Sequence, residues 1–323
     1  MIGSLRWVVA ALLLLGSPAP AAAYRVLVSN ELDNTITVLD GATLAITATV
    51  PVGARPRGMA LSRDGRRLFV CTSYENHIEE LDLGSLSVVR VLPSNPDPEF
   101  MALSPDGARL YIANEDDSAL SALDVAEGRI AWQVPVGVEP EGVAVSPDGH
   151  TVVVTSETTS MAHFIDVAAQ EVVANVLVGS RPRFAAFTPD GARLWVSAEL
   201  GGTVSVIDVA THTVERTIGF ELPGVSEELV QPVGMALSRD GRLAFVALGP
   251  ANRVAVLDQR SGEVLKVLLV GQRVWEIAFS PAQDLLFTAN GVSNDMSVIS
   301  VADLKVQVSV PVGQSPWGVV VAP

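Results

Sequence analysis

From Tyr24 onward the chain is a succession of short apolar runs, rich in Val, Ile and Leu and cut by Gly, Pro, Asn and Asp. That is the signature of β-strands between turns. Residues 57–93 show the unit: RGMALS, a Arg63-Asp64-Gly65-Arg66 turn, RLFVCTS, a polar loop, HIEELDL, a Leu83-Gly84-Ser85 turn, and SVVRVLP. The unit predicts four strands, a to d. Its first turn recurs with Asp64, Asp106, Asp148, Asp190 and Asp240, and Ala282 takes the slot in a sixth copy, at steps of 42, 42, 42, 50 and 42 residues. A second Asp closes strand c at Asp40, Asp82, Asp124, Asp166, Asp208 and Asp258, with Ser300 in the seventh slot. A period near 40 with four strands per unit predicts an all-β, seven-bladed β-propeller of four-stranded antiparallel blades.

The ends predict how the ring closes. The repeat opens on strand b (24–30), c (35–40) and d (46–52), and ends on strand a (317–322). The last blade is therefore expected to combine both termini, which removes exposed sheet edges. One slot of strand a holds Ala60, Ala102, Ala144, Ala186, Ala236, Ala278 and Val320, small residues expected where neighbouring blades approach.

In such a blade the a–b and c–d turns share one face, and the b–c and d–a loops share the other. The a–b turns are monotonous, so function is expected on the opposite face. The residues flanking the Pro before strand a run around the ring as Arg55/Arg57, Asp97/Glu99, Glu139/Glu141, Arg181/Arg183, Gln231/Val233, Arg273/Trp275 and Ser315/Trp317. From these the candidate binding residues are Arg57, Glu99, Glu141, Arg183, Arg273, Trp275 and Trp317, with Asn114, Glu115, Glu157, Glu199 and Asn290 from the b–c loops. Such a mixed-charge ring serves either as ion pairs fastening the blades or as a funnel for a polar ligand or partner. The eight-residue insertion in the loop 219–232 lies on the same face and carries Glu221, Glu227 and Glu228.

Composition narrows the function. The net charge of −15 disfavours nucleic acid and anionic membrane. Arg6, an apolar core and Ala21-Ala22-Ala23 make residues 1–23 a secretory leader, so the mature domain is expected to span 24–323 and to be periplasmic. The lone Cys71 excludes an intramolecular disulfide and reads as a buried hydrophobe. The four histidines have no metal-ligand spacing, and no nucleophile elbow, phosphate loop or haem-attachment site is present. Carboxylates at the rim suit Ca²⁺ chemically, but no EF-hand-like run occurs; neither a metal nor a cofactor is assigned.

The segments PVGVEPEGVAVSPDGHTVVVTS and SNPDPEFMALSPDGARLYIAN resemble the YVTN family of β-propeller repeats. Longer blocks, among them YRVLVSNELDNTITVLD and RPRFAAFTPDGARLWVSAELGGTVSVIDV, resemble the periplasmic subgroup associated with pyrroloquinoline-quinone (PQQ)-dependent alcohol catabolism. That resemblance implies an exported, non-catalytic binding or scaffold propeller. Its implied partners are a quinoprotein alcohol dehydrogenase, its cytochrome or an ABC-type transporter component. The alternative is a lactonase-like hydrolase. Glu99, Glu141 or Glu157 would then be base or metal ligand, and Arg183 would polarise the carbonyl.

Overall fold

The computed structural model describes residues 23–323, so the predicted leader lies outside the described residues but for Ala23. Twenty-eight strands form seven four-stranded antiparallel sheets. They close into the predicted seven-bladed propeller. The only other regular elements among the described residues are two single 3₁₀ turns, Ser73–Glu75 and Glu227–Leu229. In blade 1 the strands are Pro56–Leu61, Arg67–Thr72, His77–Asp82 and Ser87–Pro93, each within a residue of the reading from pattern. No described helix is long and apolar enough to cross a membrane.

The repeated turns are local hydrogen-bond devices. Asp64 Oδ1 accepts from the Ser62 hydroxyl (2.7 Å) and from the Arg66 N–H (3.0 Å), while Ser62 Oγ accepts from the Arg67 N–H (2.9 Å). Gly65, at φ +67°, supplies the left-handed position. In the sixth copy, where Ala282 replaces the Asp, Ser280 donates instead to Asp284 (2.6 Å). The turn therefore survives loss of its signature residue.

Cores lie between blades, one at each of the seven junctions. Between blades 1 and 2, for example, Ala60, Phe69, Cys71 and Ile78 meet Met101, Leu110 and Ile112. Cys71 is fully buried and its thiol is held well above the ordinary value, chiefly by burial. The inserted loop is part of such a core. Phe220 and Val230 are buried among Trp195, Met235 and Val246 at the blade 4–5 junction. There the inner strand is cut to Met235–Leu237.

The terminal strand Pro316–Ala322 pairs antiparallel with Arg25–Asn30, with a bulge between Val28 and Asn30. Deleting residues 317–323 strips the inner strand from blade 7. Burial of Trp317 and three valines is worth about 1.5–3 kcal/mol each, roughly 6–12 kcal/mol together, against a whole-domain stability of about 5–15 kcal/mol. The truncated chain is expected to aggregate. A monomeric truncation with an unchanged Tm would show that closure does not depend on this strand.

Candidate functional site

Every inner strand starts at the face carrying the b–c loops, and most are bulged there: the register with strand b shifts between Pro56 and Met59, Pro98 and Met101, Pro140 and Val143, and Val274 and Ile277. A bulge frees residues from the ladder and re-aims their side chains. Arg57, Glu99, Glu141 and Trp275 occupy these bulges. Two residues before Arg57 and its counterparts, Arg55, Asp97, Glu139, Arg181, Arg273 and Ser315 all adopt left-handed φ between 50° and 57°. Neighbouring b–c turns hold this costly geometry. Asn34, Asn76 and Asn252 accept from the N–H of Arg55 (3.0 Å), Asp97 (2.9 Å) and Arg273 (2.8 Å).

The mouth carries two ion-pair networks. In the first, the buried Glu99 pairs with Arg57 and lies 3.0 Å from Arg55, which also reaches Asp97 (3.0 Å) and Glu31 (3.2 Å). In the second, Arg183, nearly inaccessible, pairs with Glu157 and with Glu141 (3.1 Å). Arg181 meets Glu157 at 2.6 Å, and Arg273 meets Glu199 at 2.9 Å and Gln231 at 3.1 Å. The guanidiniums of Arg273 and Arg183 stand over the Trp275 ring, 4.1 and 5.5 Å from its centroid, and Arg57 stands 5.5 Å over Trp317.

Carboxyls exceed guanidiniums at the mouth, and the surplus is met by protons. Burial, then the charge of Glu99, pushes Glu115 up to about 8 and Asp97 up to about 6. Glu141 is raised strongly, chiefly by burial. Glu99 moves the other way, because Arg57 and Arg55 outweigh its burial. Although Arg55 lies close, Glu99 Oε1 lacks a donor of good hydrogen-bond geometry. A hydrogen bond to the Glu99 side chain also favours the protonated form of Glu115. The oxygens of Asp97, Glu99 and Glu115 lie within 4.8 Å of one another, as do donor atoms of Glu75, His77 and Glu79. Either trio is compact enough for a divalent cation, but two guanidiniums already neutralise Glu99 in the first.

Below this layer the channel is closed. The next slot along the inner strands reads Gly58, Phe100, Gly142, Phe184, Gly234, Glu276, Gly318. Phe100 meets Phe184 edge-on at 5.5 Å and Trp317 at 6.1 Å. The remaining cavity, bounded also by Glu141, Arg183 and Glu276, is only about 20 Å³, the size of roughly one water. The channel therefore leaves no room for a ligand to thread it. Above the plug, a hollow of about 350 Å³ opens over blades 2 to 4, lined by Glu115, Glu139, Glu157, Thr158, Ser160, Ser180, Arg181 and Leu200.

A family model described as "Lactonase, 7-bladed beta-propeller" matches residues 143–309, just over half of the chain. The chain belongs to the seven-bladed β-propeller lactonase family. No curated protein sequence matches it. Solved structures share the fold at low identity. A chain of Kuenenia stuttgartiensis hydrazine synthase is 22% identical with a TM-score of 0.79, covering 90% of this chain and 99% of that one. A functionally unknown protein from Desulfotomaculum acetoxidans is 17% identical (TM-score 0.79; 92% and 98% covered). A Bacteroides fragilis protein provisionally assigned as a 6-phosphogluconolactonase is 15% identical (TM-score 0.80; 95% and 100% covered).

In this lactonase-family propeller, Arg57, Glu99, Glu141, Arg183, Arg273, Trp275 and Trp317 converge at the mouth. Glu115, Glu157 and Glu199 join them from the b–c loops. Asn114 and Asn290 do not. Their buried amides are spent inside their own blades, Asn114 on Ser94 (2.8 Å) and Ser121 (2.6 Å), Asn290 on Asp295 (2.6 Å) and Ser297 (3.0 Å). Sequence reasoning named Arg181 and Glu139 only as Pro-flanking residues, yet both line the open hollow. It missed Glu276, whose signal was the one acid in an otherwise Gly/Phe slot.

Burial raises Glu276 from 4.5 to about 8, against an opposing hydrogen bond from the Val319 N–H, and its Oε1 has no partner. Between those pH values the folded protein keeps a proton that the unfolded chain has released. Stability therefore falls as pH rises through this window, and the loss is complete above about 8. Glu276→Gln should melt with the wild type near pH 4.5 and gain on the order of 3–5 kcal/mol by pH 9, at about 1.4 kcal/mol per pKa unit. Thermal melts across this range check it; a difference independent of pH would sink the assignment.

Proposed function

We propose that the protein hydrolyses a lactone in the open hollow of the mouth. The observation that carries this reading is the convergence there of a protonated carboxyl, a half-exposed guanidinium and a free carboxylate. Ring opening needs a base for the attacking water, a cation for the oxyanion and an acid for the departing ring oxygen. Glu115, raised to about 8, retains a proton at neutral pH and is placed as the acid. Arg181, whose side chain is 43% exposed, is the guanidinium open to a substrate oxygen, whereas Arg183 is sealed beneath it at 8%. Glu157 is committed to Arg181 and Arg183. Glu139 accepts from the Thr158 hydroxyl, and no guanidinium lies within ion-pair distance of it among the described residues. It is the carboxylate left to activate water.

This moves the roles anticipated for Glu99, Glu141, Glu157 and Arg183 outward, because Glu99 is consumed by Arg57 and Arg55, and Glu141 and Glu157 by Arg183. They form the charged floor that sets the reacting groups. Family membership supports the hydrolytic reading over the scaffold expected for PQQ-dependent alcohol catabolism, and nothing in the comparisons supports the PQQ link. Export to the periplasm through a leader remains part of the proposal, resting on residues 1–23.

A panel of aldonolactones tests it. Turnover is expected, with kcat/KM falling above about pH 8 as Glu115 loses its proton. Glu115→Gln should cost roughly 10²-fold and abolish that limb; Arg181→Met should cost roughly 10²–10³-fold at every pH. Absence of turnover on every lactone, or an unchanged pH profile in Glu115→Gln, would overturn the proposal.

A further inference from the structure

The face opposite the mouth, expected to be featureless, carries a hollow of about 360 Å³ at the blade 4–5 junction. Four arginines line it: Arg193 and Arg216 from blade 4, Arg239 and Arg260 from blade 5. Arg193 is held by Glu215 (2.7 Å). Among the described residues, no carboxylate lies within ion-pair distance of Arg216, Arg239 or Arg260. All three are exposed, in a chain of net charge −15.

The slot of Arg216 in strand d is apolar in four blades (Ala48, Trp132, Ala174 and Val308), so an arginine there departs from the repeat. In blade 1, Arg90 occupies the slot of Arg216, and its cross-strand partner is Glu80, bonded to it at 2.7 Å. Across from Arg216 stands Val206. Arg216 thus lacks the cross-strand counter-charge that Arg90 has. Arg216 Nη1 donates to the Arg260 carbonyl (3.1 Å), which brings the two side chains to one rim. Asp190 and Asp240 also line the hollow, but each carboxylate is spent in its own turn, on Thr188 and Ser238.

The floor is a second departure. The residue after the strand-c Asp is Leu83, Val125, Val167, Val209 and Val301 in five blades, and Gly41 in another. In blade 5 it is Gln259, 93% buried, with Oε1 lacking any partner. A buried amide oxygen left unsatisfied costs about 1–3 kcal/mol, so an aliphatic slot filled by Gln points to a ligand with a hydroxyl that donates to it. We propose that this hollow binds a phosphoryl group that also carries a hydroxyl, its charged oxygens held by Arg216, Arg239 and Arg260 and its hydroxyl donating to Gln259 Oε1. Guanidinium forks match oxyanion geometry.

Calorimetric titration of the full chain with pyrophosphate is the test. Saturable binding that weakens with added salt is expected, and Arg216→Ala/Arg260→Ala should weaken it at least tenfold. Gln259→Leu restores the residue type of the other blades, so it should fold normally and bind several-fold more weakly. Co-sedimentation with phosphatidylglycerol but not phosphatidylcholine vesicles, lost in the double variant, would assign the same site to a lipid headgroup. Binding of neither probe, or equal binding by the folded double variant, overturns the proposal.

Discussion

Seven inner strands meet around one axis, and the space they leave there governs the rest of the structure. The slot facing the axis alternates Gly with a large residue because adjacent backbones approach too closely for side chains on both. A Cβ at Gly58 would lie 2.8 Å from the Cα of Phe100, and one at Gly142 would lie 2.9 Å from that of Phe184. Seven is odd, so the alternation fails once, between Gly318 and Gly58. That seam is where the termini close the ring. Ser29 fills it: its hydroxyl donates to the Arg57 carbonyl and accepts from the Gly318 N–H, each at 2.9 Å. The closing blade thus joins its neighbour through a side chain where packing alone would leave a gap.

The plug has an electrostatic consequence. It puts a dry floor under the mouth, so charges directly above it lose solvent and must be neutralised by one another. Eight carboxyls (Glu31, Asp97, Glu99, Glu115, Glu139, Glu141, Glu157 and Glu199) face five guanidiniums there (Arg55, Arg57, Arg181, Arg183 and Arg273). Arg57 with Glu99 and Arg183 with Glu157 settle as ion pairs, while burial favours the protonated forms of Glu115 and Glu141. The same desolvation that makes Arg183 a structural cation thus makes Glu115 a proton donor. A ring of charge that fastens blades and a polar pocket are one arrangement seen at two depths.

Much of this was legible in the chain. Strand periodicity, turn chemistry and the placement of strand a at the C-terminus follow from local rules that the repeat applies over and over, so the fold and its closure could be read directly. The convergence of Arg57, Glu99, Glu141 and Arg183 was legible because one slot maps to one height in the ring. What the pattern could not convey was depth. Asn114 and Asn290 end strand b one position before the slot of Glu115 and Glu157 and point back into their blades, because strand-end residues and loop residues one position apart face opposite ways. Nor does spacing distinguish Arg181 from Arg183, two residues apart, of which one is open and the other sealed.

Departures from the repeat concentrate at one junction. Between blades 4 and 5 lie the insertion, the shortened inner strand Met235–Leu237, the charge-free Val233 and the Gln259 floor. With only three residues paired to strand b, blade 5 has the shortest inner ladder of the ring. Phe220 and Val230 restore apolar contact where backbone pairing is lost. This junction reaches both faces: Gln231 contacts Arg273 at the mouth (3.1 Å), while Arg239 and Gln259 line the opposite hollow.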